Sequence, residues 1–132
     1  LHVADPLEDI VEVCRRLIGG GAIDGFVLLE PQIRDARVAF LRRAGVPFVI
    51  HGRIEAPHDY PFYDIDNFAL AQRLTRGLVA AGHRRIGFVN GPRRSTYAVS
   101  RREGWRAALA EAGIEAEPAL HRHGRMSGGE GL

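Results

Sequence analysis

The chain has 132 residues, and since domains typically have roughly 100–200 residues, this length excludes most two-domain enzymes. Its 45% hydrophobic and 26% charged residues are typical of a soluble globular protein. No apolar run approaches the roughly 20 residues that cross a bilayer, so no membrane partner is expected. Eighteen basic residues against 16 acidic ones give a net charge of +2, and no segment concentrates the excess as a nucleic-acid-binding arm does.

Two residue counts narrow the chemistry. Every basic residue is arginine, so these 132 residues offer no lysine for a Schiff base or for a phosphate-binding loop. Cys14 is the single cysteine, which excludes an internal disulfide. Together with a start that does not resemble a signal peptide, it favours the cytoplasm.

Helices alternate with short apolar strands in the first half of the chain. Apolar residues at helical spacing predict a helix over 7–18, which three glycines end. The runs at 25–29 and 46–50 are too short for helices and predict buried strands. Between them, 33–44 has the pattern of an amphipathic helix closed by a glycine.

The same alternation continues in the second half. A helix is predicted over 67–81, with Leu70, Leu74 and Leu78 along one face. A short strand is predicted at 62–65 and another strand at 86–89. A helix is predicted at 96–112, followed by a weak strand at 118–121. Alternating helices and apolar strands predict an α/β fold with βα units on a parallel sheet.

Polar residues follow several of these strands, at the edge where open parallel sheets bind ligands. They comprise acids, a histidine, an arginine and an amide suited to hydrogen-bonding a polar ligand: Glu30, His51, Arg53, Asp66 and Asn90. Asp66 has two interpretations: it can cap the following helix, which is worth about 1 kcal/mol, or accept hydroxyl protons from a ligand.

Metal and nucleotide sites find little support. His121 and His123 share a face only in a strand, and no third ligand is near them in sequence. The glycines at 87 and 91 follow a dinucleotide fingerprint only loosely, and Pro92 removes an N–H that a phosphate would use. We therefore expect no metal, no cofactor and no catalytic residues.

Four arginines lie before and within the N-terminal half of the helix predicted at 96–112, where cations are electrostatically unfavourable: Arg93, Arg94, Arg101 and Arg102. This placement hints at an anionic or hydroxyl-rich partner.

Six segments of the sequence, taken in their order and spacing, indicate a family resemblance. They are AIDGFVL at 22–28, GVPFV at 45–49, DIDN at 64–67, GHRRIGF at 82–88, NGP at 90–92, and RREGW through AGI at 101–114. As a set they resemble the effector-binding core of the lactose-repressor (LacI/GalR) family of bacterial transcription regulators. The resemblance implies a periplasmic-binding-protein-like fold of two α/β lobes. It also implies a small-molecule effector such as a sugar between the lobes, a homodimer, and operator DNA bound through a helix-turn-helix.

The resemblance also implies site residues. In the family, the acid of the DxDN segment and the arginine three residues before the GW pair contact the effector. In this sequence these residues are Asp66 and Arg101. Glu30, His51, Arg53 and Tyr97 are expected near the ligand on the same pattern. Binding of effector and capping of a helix by Asp66 do not exclude each other.

The family pattern also predicts domain boundaries. We expect 1–90 to form most of the N-terminal lobe without its first strand, and 91–132 to form the crossover and the start of a truncated C-terminal lobe. The helix-turn-helix lies outside this sequence, so we interpret the chain as a fragment.

The leading hypothesis is the effector-binding part of a cytoplasmic DNA-binding repressor that responds to a sugar. The alternative is a periplasmic sugar-binding protein of a transport system, which has the same fold. An enzyme is disfavoured because no cofactor fingerprint or nucleophile–base pair is present.

Overall fold

The computed structural model describes residues 9–21, 23–54 and 59–124. The chain divides into two compact units, Leu1–Tyr63 (unit 1) and Asp64–Leu132 (unit 2). Each unit contains its own parallel sheet and its own apolar core. This α/β architecture of helices on parallel strands confirms the predicted fold class.

Unit 1 has a three-stranded parallel sheet in the order β1-β2-β3. Its elements are α1 Ile10–Gly19, β1 Phe26–Leu28, α2 Ala36–Ala44, β2 Phe48–His51 and β3 Phe62–Tyr63. Leu41 on α2 and Ile50 on β2 are fully buried at the centre of the core. Because all three strands run the same way, the segments that follow them lie at one edge of the sheet.

Unit 2 has two long helices and a two-stranded parallel sheet. Its elements are α3 Asn67–Ala80, β4 Phe88–Asn90, α4 Thr96–Glu111, a 3₁₀ turn at Pro118–Leu120, and β5 His121–His123. The core centres on Ile86, Trp105 and Leu109. Trp105 donates its indole N–H to the carbonyl of Ile86 at 3.3 Å, so the ring is fixed against the segment that leads into β4.

Most predicted elements are present, and some of their boundaries differ from the predicted ones because of local interactions. The first helix begins at Ile10 among the described residues, while the predicted positions 7 and 8 lie outside them. The helix predicted from residue 33 begins at Ala36 because Asp35 caps it. The weak strand predicted at 118–121 is wrong in part: proline starts a 3₁₀ turn, and the strand is His121–His123.

The division after Tyr63 differs from the boundary predicted at residue 90. The reason is the packing of α3 along α4, with Gly104 of α4 against the backbone of Phe68. A Cβ atom at Gly104 would overlap the carbonyl oxygen of Phe68 and lie 3.0 Å from the amide nitrogen of Gln72. The helix before β4 therefore belongs with the helix after it.

The face of α3 that packs is not the face that carries its leucines. Leu70, Leu74 and Leu78 are 38%, 66% and 46% exposed. The buried face holds Asn67, Ala71 and Thr75 instead. Small side chains permit the close approach of the two helices, which larger leucines would prevent.

The ion pair between Asp35 and Arg37 organises the segment between β1 and α2. The Asp35 carboxylate, 8% exposed as a residue, accepts hydrogen bonds from the amides of Gln32 and Arg37 and from the Arg37 guanidinium. Burial would raise the pKa of Asp35, but the hydrogen bonds and charge of Arg37 outweigh it and hold that pKa below its usual value. Arg37 Nη2 also donates to the carbonyl of Leu29 at 3.1 Å, which ties the end of β1 to the helix.

No helix among residues 9–21, 23–54 and 59–124 is long and apolar enough to span a membrane. Within the same part of the chain, no three histidine, cysteine, aspartate or glutamate side chains group closely enough to hold a metal ion.

Replacing Asp35 with alanine is expected to lower the free energy of unfolding by about 2–3 kcal/mol, because it removes a helix cap and leaves a largely buried guanidinium unpaired. Urea denaturation followed by circular dichroism measures the change. Asp59→Ala is the matched control, since Asp59 pairs with Arg42 at the surface, where ion pairs contribute about 0–1 kcal/mol. Equal losses in the two variants would contradict the role of Asp35.

His121 is expected to make stability depend on pH. Its ring stacks on Phe88 and Trp105 at centroid distances of 5.7 and 5.8 Å. Burial lowers the pKa of His121, and the positive charges of His123, Arg102, Arg93 and Arg122 lower it further.

The unfolded chain therefore binds this proton more readily than the folded one. The free energy of unfolding should fall as the pH drops below about 7, through the unfolded-state pKa of about 6.5, and level off below the lower folded-state pKa. Denaturation between pH 5 and 8 tests this, and His121→Phe should flatten the dependence. An unchanged slope in that variant would show that another group is responsible.

Candidate functional site

A cluster of polar side chains lies within unit 2, where α3 and α4 begin and β4 ends. Asp66 precedes α3, Asn67 is its first residue, and Tyr97 and Arg101 lie in the first half of α4. Gly91 follows the last residue of β4. We call these five residues the α3–α4 cluster.

Asp66 caps α3. Its Oδ1 accepts a hydrogen bond from the amide of Ala69 at 2.8 Å, which confirms the capping interpretation. The residue is exposed, so the other carboxylate oxygen is accessible to solvent. One oxygen can hold the helix while the other accepts a hydroxyl proton from a ligand.

Asn67 is 5% exposed and hydrogen-bonded on both sides of its amide. Its Nδ2 donates to Asp64 Oδ1 and to the carbonyl of Ile65, both at 3.1 Å. Its Oδ1 accepts from Arg101 Nε at 2.7 Å. The buried amide thus connects the segment before α3 to α4.

Arg101 is held on two sides. Besides the bond from Nε to Asn67, its guanidinium lies 4.8 Å from the centroid of the Tyr97 ring, in a cation–π contact. The two Nη nitrogens have no hydrogen-bond partner within the described part of the chain. Because a guanidinium donates in a planar fork, they can bind two oxygen atoms of a ligand together.

The Tyr97 hydroxyl is enclosed beside Gly91. A Cβ atom at Gly91 would lie 2.7 Å from Tyr97 Cε2 and overlap the hydroxyl, so only glycine leaves room for this ring. The oxygen is buried and has no hydrogen-bond partner in residues 59–124. A buried hydroxyl without a partner costs about 1–3 kcal/mol.

The segment after β4 is rigid because Asn90 and His123 bind its backbone. Asn90 Nδ2 donates to the carbonyl of Ala98 at 2.7 Å, and Asn90 Oδ1 accepts from the amide of Gly91 at 2.9 Å. His123 Nδ1 lies 2.7 Å from the carbonyl oxygen of Gly91. A carbonyl only accepts, so Nδ1 carries the proton and Nε2 of a neutral ring is an acceptor.

Three other predicted residues belong to unit 1. Glu30 follows β1 and has a φ of 51°, an uncommon left-handed conformation beside the carbonyl that Arg37 binds. His51 is the exposed last residue of β2, and Arg53 stacks over the ring of Phe62 at 5.7 Å. β1 and β2 are adjacent parallel strands, so Glu30, two residues after β1, and His51, the last residue of β2, lie at the same edge of the sheet.

The structure thus brings Asp66, Tyr97 and Arg101 into one unit, and it places Glu30, His51 and Arg53 in the other. The motif DIDN contains Asn67, but its burial could not be read from the sequence. Nothing in the sequence reveals that Gly91 contacts the ring of Tyr97 or that His123 binds the carbonyl of Gly91, because each contact joins residues that are far apart in the chain or on different elements.

The donors and acceptors of the α3–α4 cluster suit a ligand rich in hydroxyl groups. Arg101 offers paired N–H donors, and the exposed Asp66 offers a carboxylate. The cluster contains no nucleophile hydrogen-bonded to a base.

Residues 8–125 match the family model described as "Periplasmic binding proteins and sugar binding domain of LacI family". The HTH-type transcriptional regulator AglR of Rhizobium meliloti is 39% identical over 121 residues, which are 91% of this chain and 34% of that protein. The regulator CelR of Thermobifida fusca is 35% identical over 117 residues, covering 87% of this chain and 34% of that protein.

Solved structures agree with these relatives. A regulatory protein of the LacI family from Chloroflexus aggregans has a TM-score of 0.78 and 31% identity, over 94% of this chain and 44% of that one. A complex of the transcriptional regulator CelR with cellobiose has a TM-score of 0.74 and 34% identity, over 88% of this chain and 36% of that one.

The chain spans about a third of the length of the curated relatives AglR and CelR. These relatives are transcriptional regulators and not enzymes. The family match over most of the chain and the shared parallel-sheet fold lead to one conclusion: this chain belongs to the family of periplasmic binding proteins and sugar-binding domains of LacI-type regulators.

Proposed function

We propose that this chain is the effector-binding part of a cytoplasmic, homodimeric transcription regulator, and that a sugar bound by the α3–α4 cluster alters operator binding. The observation that carries the proposal is the Arg101 guanidinium, fixed by Asn67 and Tyr97 with both Nη nitrogens unpaired among the described residues. Operator DNA is bound through a helix-turn-helix outside this sequence. The protein is not an enzyme and uses no cofactor.

The chemistry of the cluster favours a neutral sugar over an anion. Arg101 supplies one positive charge, and the carboxylates of Asp64 and Asp66 stand on the segment that meets it through Asn67. Carboxylate oxygens accept hydroxyl protons but repel a carboxylate or phosphate ligand. The cellobiose complex of CelR supports a disaccharide as the first effector to test.

The remaining predicted residues are proposed as ligand-binding candidates within unit 1. Glu30, His51 and Arg53 lie at the carboxyl edge of the unit 1 sheet, the edge where ligands bind in open parallel sheets. We assign unit 1 to the N-terminal lobe and unit 2 to the C-terminal lobe of the effector domain, which moves the predicted lobe boundary from residue 90 to the segment after Tyr63.

The periplasmic sugar-binding protein is the weaker candidate, because AglR and CelR are HTH-type regulators.

Arg101→Ala is expected to weaken sugar binding by about 2 kcal/mol, or roughly thirtyfold, because ligand hydroxyls lose a charged donor pair. Isothermal titration calorimetry of the full-length protein with cellobiose, maltose and glucose measures the affinities. Arg106→Ala is the matched control, since Arg106 is an exposed arginine on the same helix. If Arg101→Ala binds the preferred sugar as tightly as this control, the assignment of Arg101 is wrong.

A second experiment separates the regulator from the transport protein. The regulator is expected to retard DNA from the promoter region of its own gene in a gel-shift assay, and the preferred sugar should change that retardation. Arg101→Ala should bind the same DNA but lose the response to sugar. Export of the gene product by a secretion signal, without DNA binding, would favour the transport alternative.

A further inference from the structure

We propose that Asn67 is a positioning residue that fixes the orientation of the Arg101 guanidinium for the effector. The inference rests on the proposed function of the α3–α4 cluster and adds a residue that has no direct ligand role. It is carried by the hydrogen bonds of one buried amide.

The orientation of the Asn67 amide is determined by its neighbours. Arg101 only donates, so the atom 2.7 Å from its Nε is the amide oxygen. Asp64 Oδ1 and the carbonyl of Ile65 only accept, so the atom 3.1 Å from each is the amide nitrogen. A flipped amide would face like groups on both sides, and the residue is too deeply buried for water to replace these partners.

Asn67 does little for the helix that it starts. The cap of α3 is Asp66, whose carboxylate takes the amide of Ala69. The Asn67 side chain instead reaches 34 positions along the sequence to α4. An apolar residue of similar size would fill the same space but could not accept a hydrogen bond. The specific role of the amide oxygen is therefore to bind Arg101.

The contact depends on the close approach of α3 and α4. Gly104 lies one turn after Arg101 and touches the backbone of Phe68, the residue after Asn67. Asparagine is short, so its oxygen reaches Arg101 Nε only because these backbones are in contact. The backbone spacing thus sets the donor–acceptor distance.

Two contacts together define the plane of the guanidinium. The bond at Nε fixes one edge, and the Tyr97 ring at 4.8 Å covers one face. With both contacts, the Nη nitrogens have one direction in which to donate. Without Asn67, the side chain keeps its charge but can rotate about its terminal torsions, and a two-oxygen contact to a ligand loses its preorganisation.

The test combines calorimetry with a measurement that needs no ligand. Asn67→Ala should weaken binding of the preferred sugar of the panel by at least tenfold, which corresponds to about 1.4 kcal/mol. In the Asn67→Ala, Arg101→Ala double variant the loss should equal that of Arg101→Ala alone, because Asn67 acts through the arginine. Additive losses would overturn the inference while leaving the proposed function intact.

Nuclear magnetic resonance of the Arg101 Nε–H group, assigned by its absence in Arg101→Ala, gives the second readout. This proton should exchange slowly with water in the wild-type protein and much faster in Asn67→Ala. Equal exchange rates would also overturn the inference. If the wild-type protein binds no sugar, the proposed function and the effector role of Asn67 both fail, whereas the exchange rate still decides whether Asn67 fixes Arg101.

A second variant covers the case in which Asn67→Ala does not fold. Asn67→Leu fills the space of the asparagine but offers no acceptor to Arg101. It should lose the affinity and the slow exchange as Asn67→Ala does. Wild-type affinity and slow exchange in Asn67→Leu would assign Asn67 a packing role only and overturn the inference.

Discussion

The contact between Gly104 of α4 and the backbone of Phe68 on α3 is the constraint on which the structure of unit 2 depends. It lets two helices pack at a distance that a single methyl group would prevent. The buried face of α3 is accordingly made of the small or short side chains Asn67, Ala71 and Thr75. Because the helices meet there, their N-terminal ends bring Asn67, Tyr97 and Arg101 together, and the polar site follows from a packing requirement.

The α3–α4 cluster and the residues around it use most of their hydrogen-bonding capacity internally. Asn67 and Asn90 are buried and satisfied by backbone and side-chain partners, so they hold the surrounding segments in place. The Nη nitrogens of Arg101 and the hydroxyl of Tyr97 have no such partners within residues 59–124. A rigid frame with few open donors binds a polar ligand at a small entropic cost, since the frame is ordered before the ligand arrives.

In unit 1, a buried ion pair holds the segment that follows β1. Asp35 caps α2 and pairs with Arg37, and Arg37 in turn binds the carbonyl of Leu29 at the end of β1. The segment that carries Glu30 in its left-handed conformation is thereby attached to the following helix. A close contact between Pro31 and Gly52, where a Cβ atom would lie 2.7 Å from the proline ring, joins it to the end of β2. The hydrogen bonds of Asp35 and Arg37 thus order the segment between β1 and α2, which a small apolar core alone would not hold in place.

The sequence by itself determined the α/β class, the order of the elements and the cap at Asp66, because helical periodicity, short apolar runs and capping residues act over a few neighbouring positions. It also singled out Arg101 through its place in a family motif. Only the tertiary structure decided that Leu70, Leu74 and Leu78 are exposed, that the units divide after Tyr63, and that Asn67 holds Arg101. Each of these depends on which face of α3 meets α4. That face is set by the contact of Gly104 with the backbone of Phe68. The two residues are 36 positions apart, and local sequence patterns carry no information about contacts over that distance.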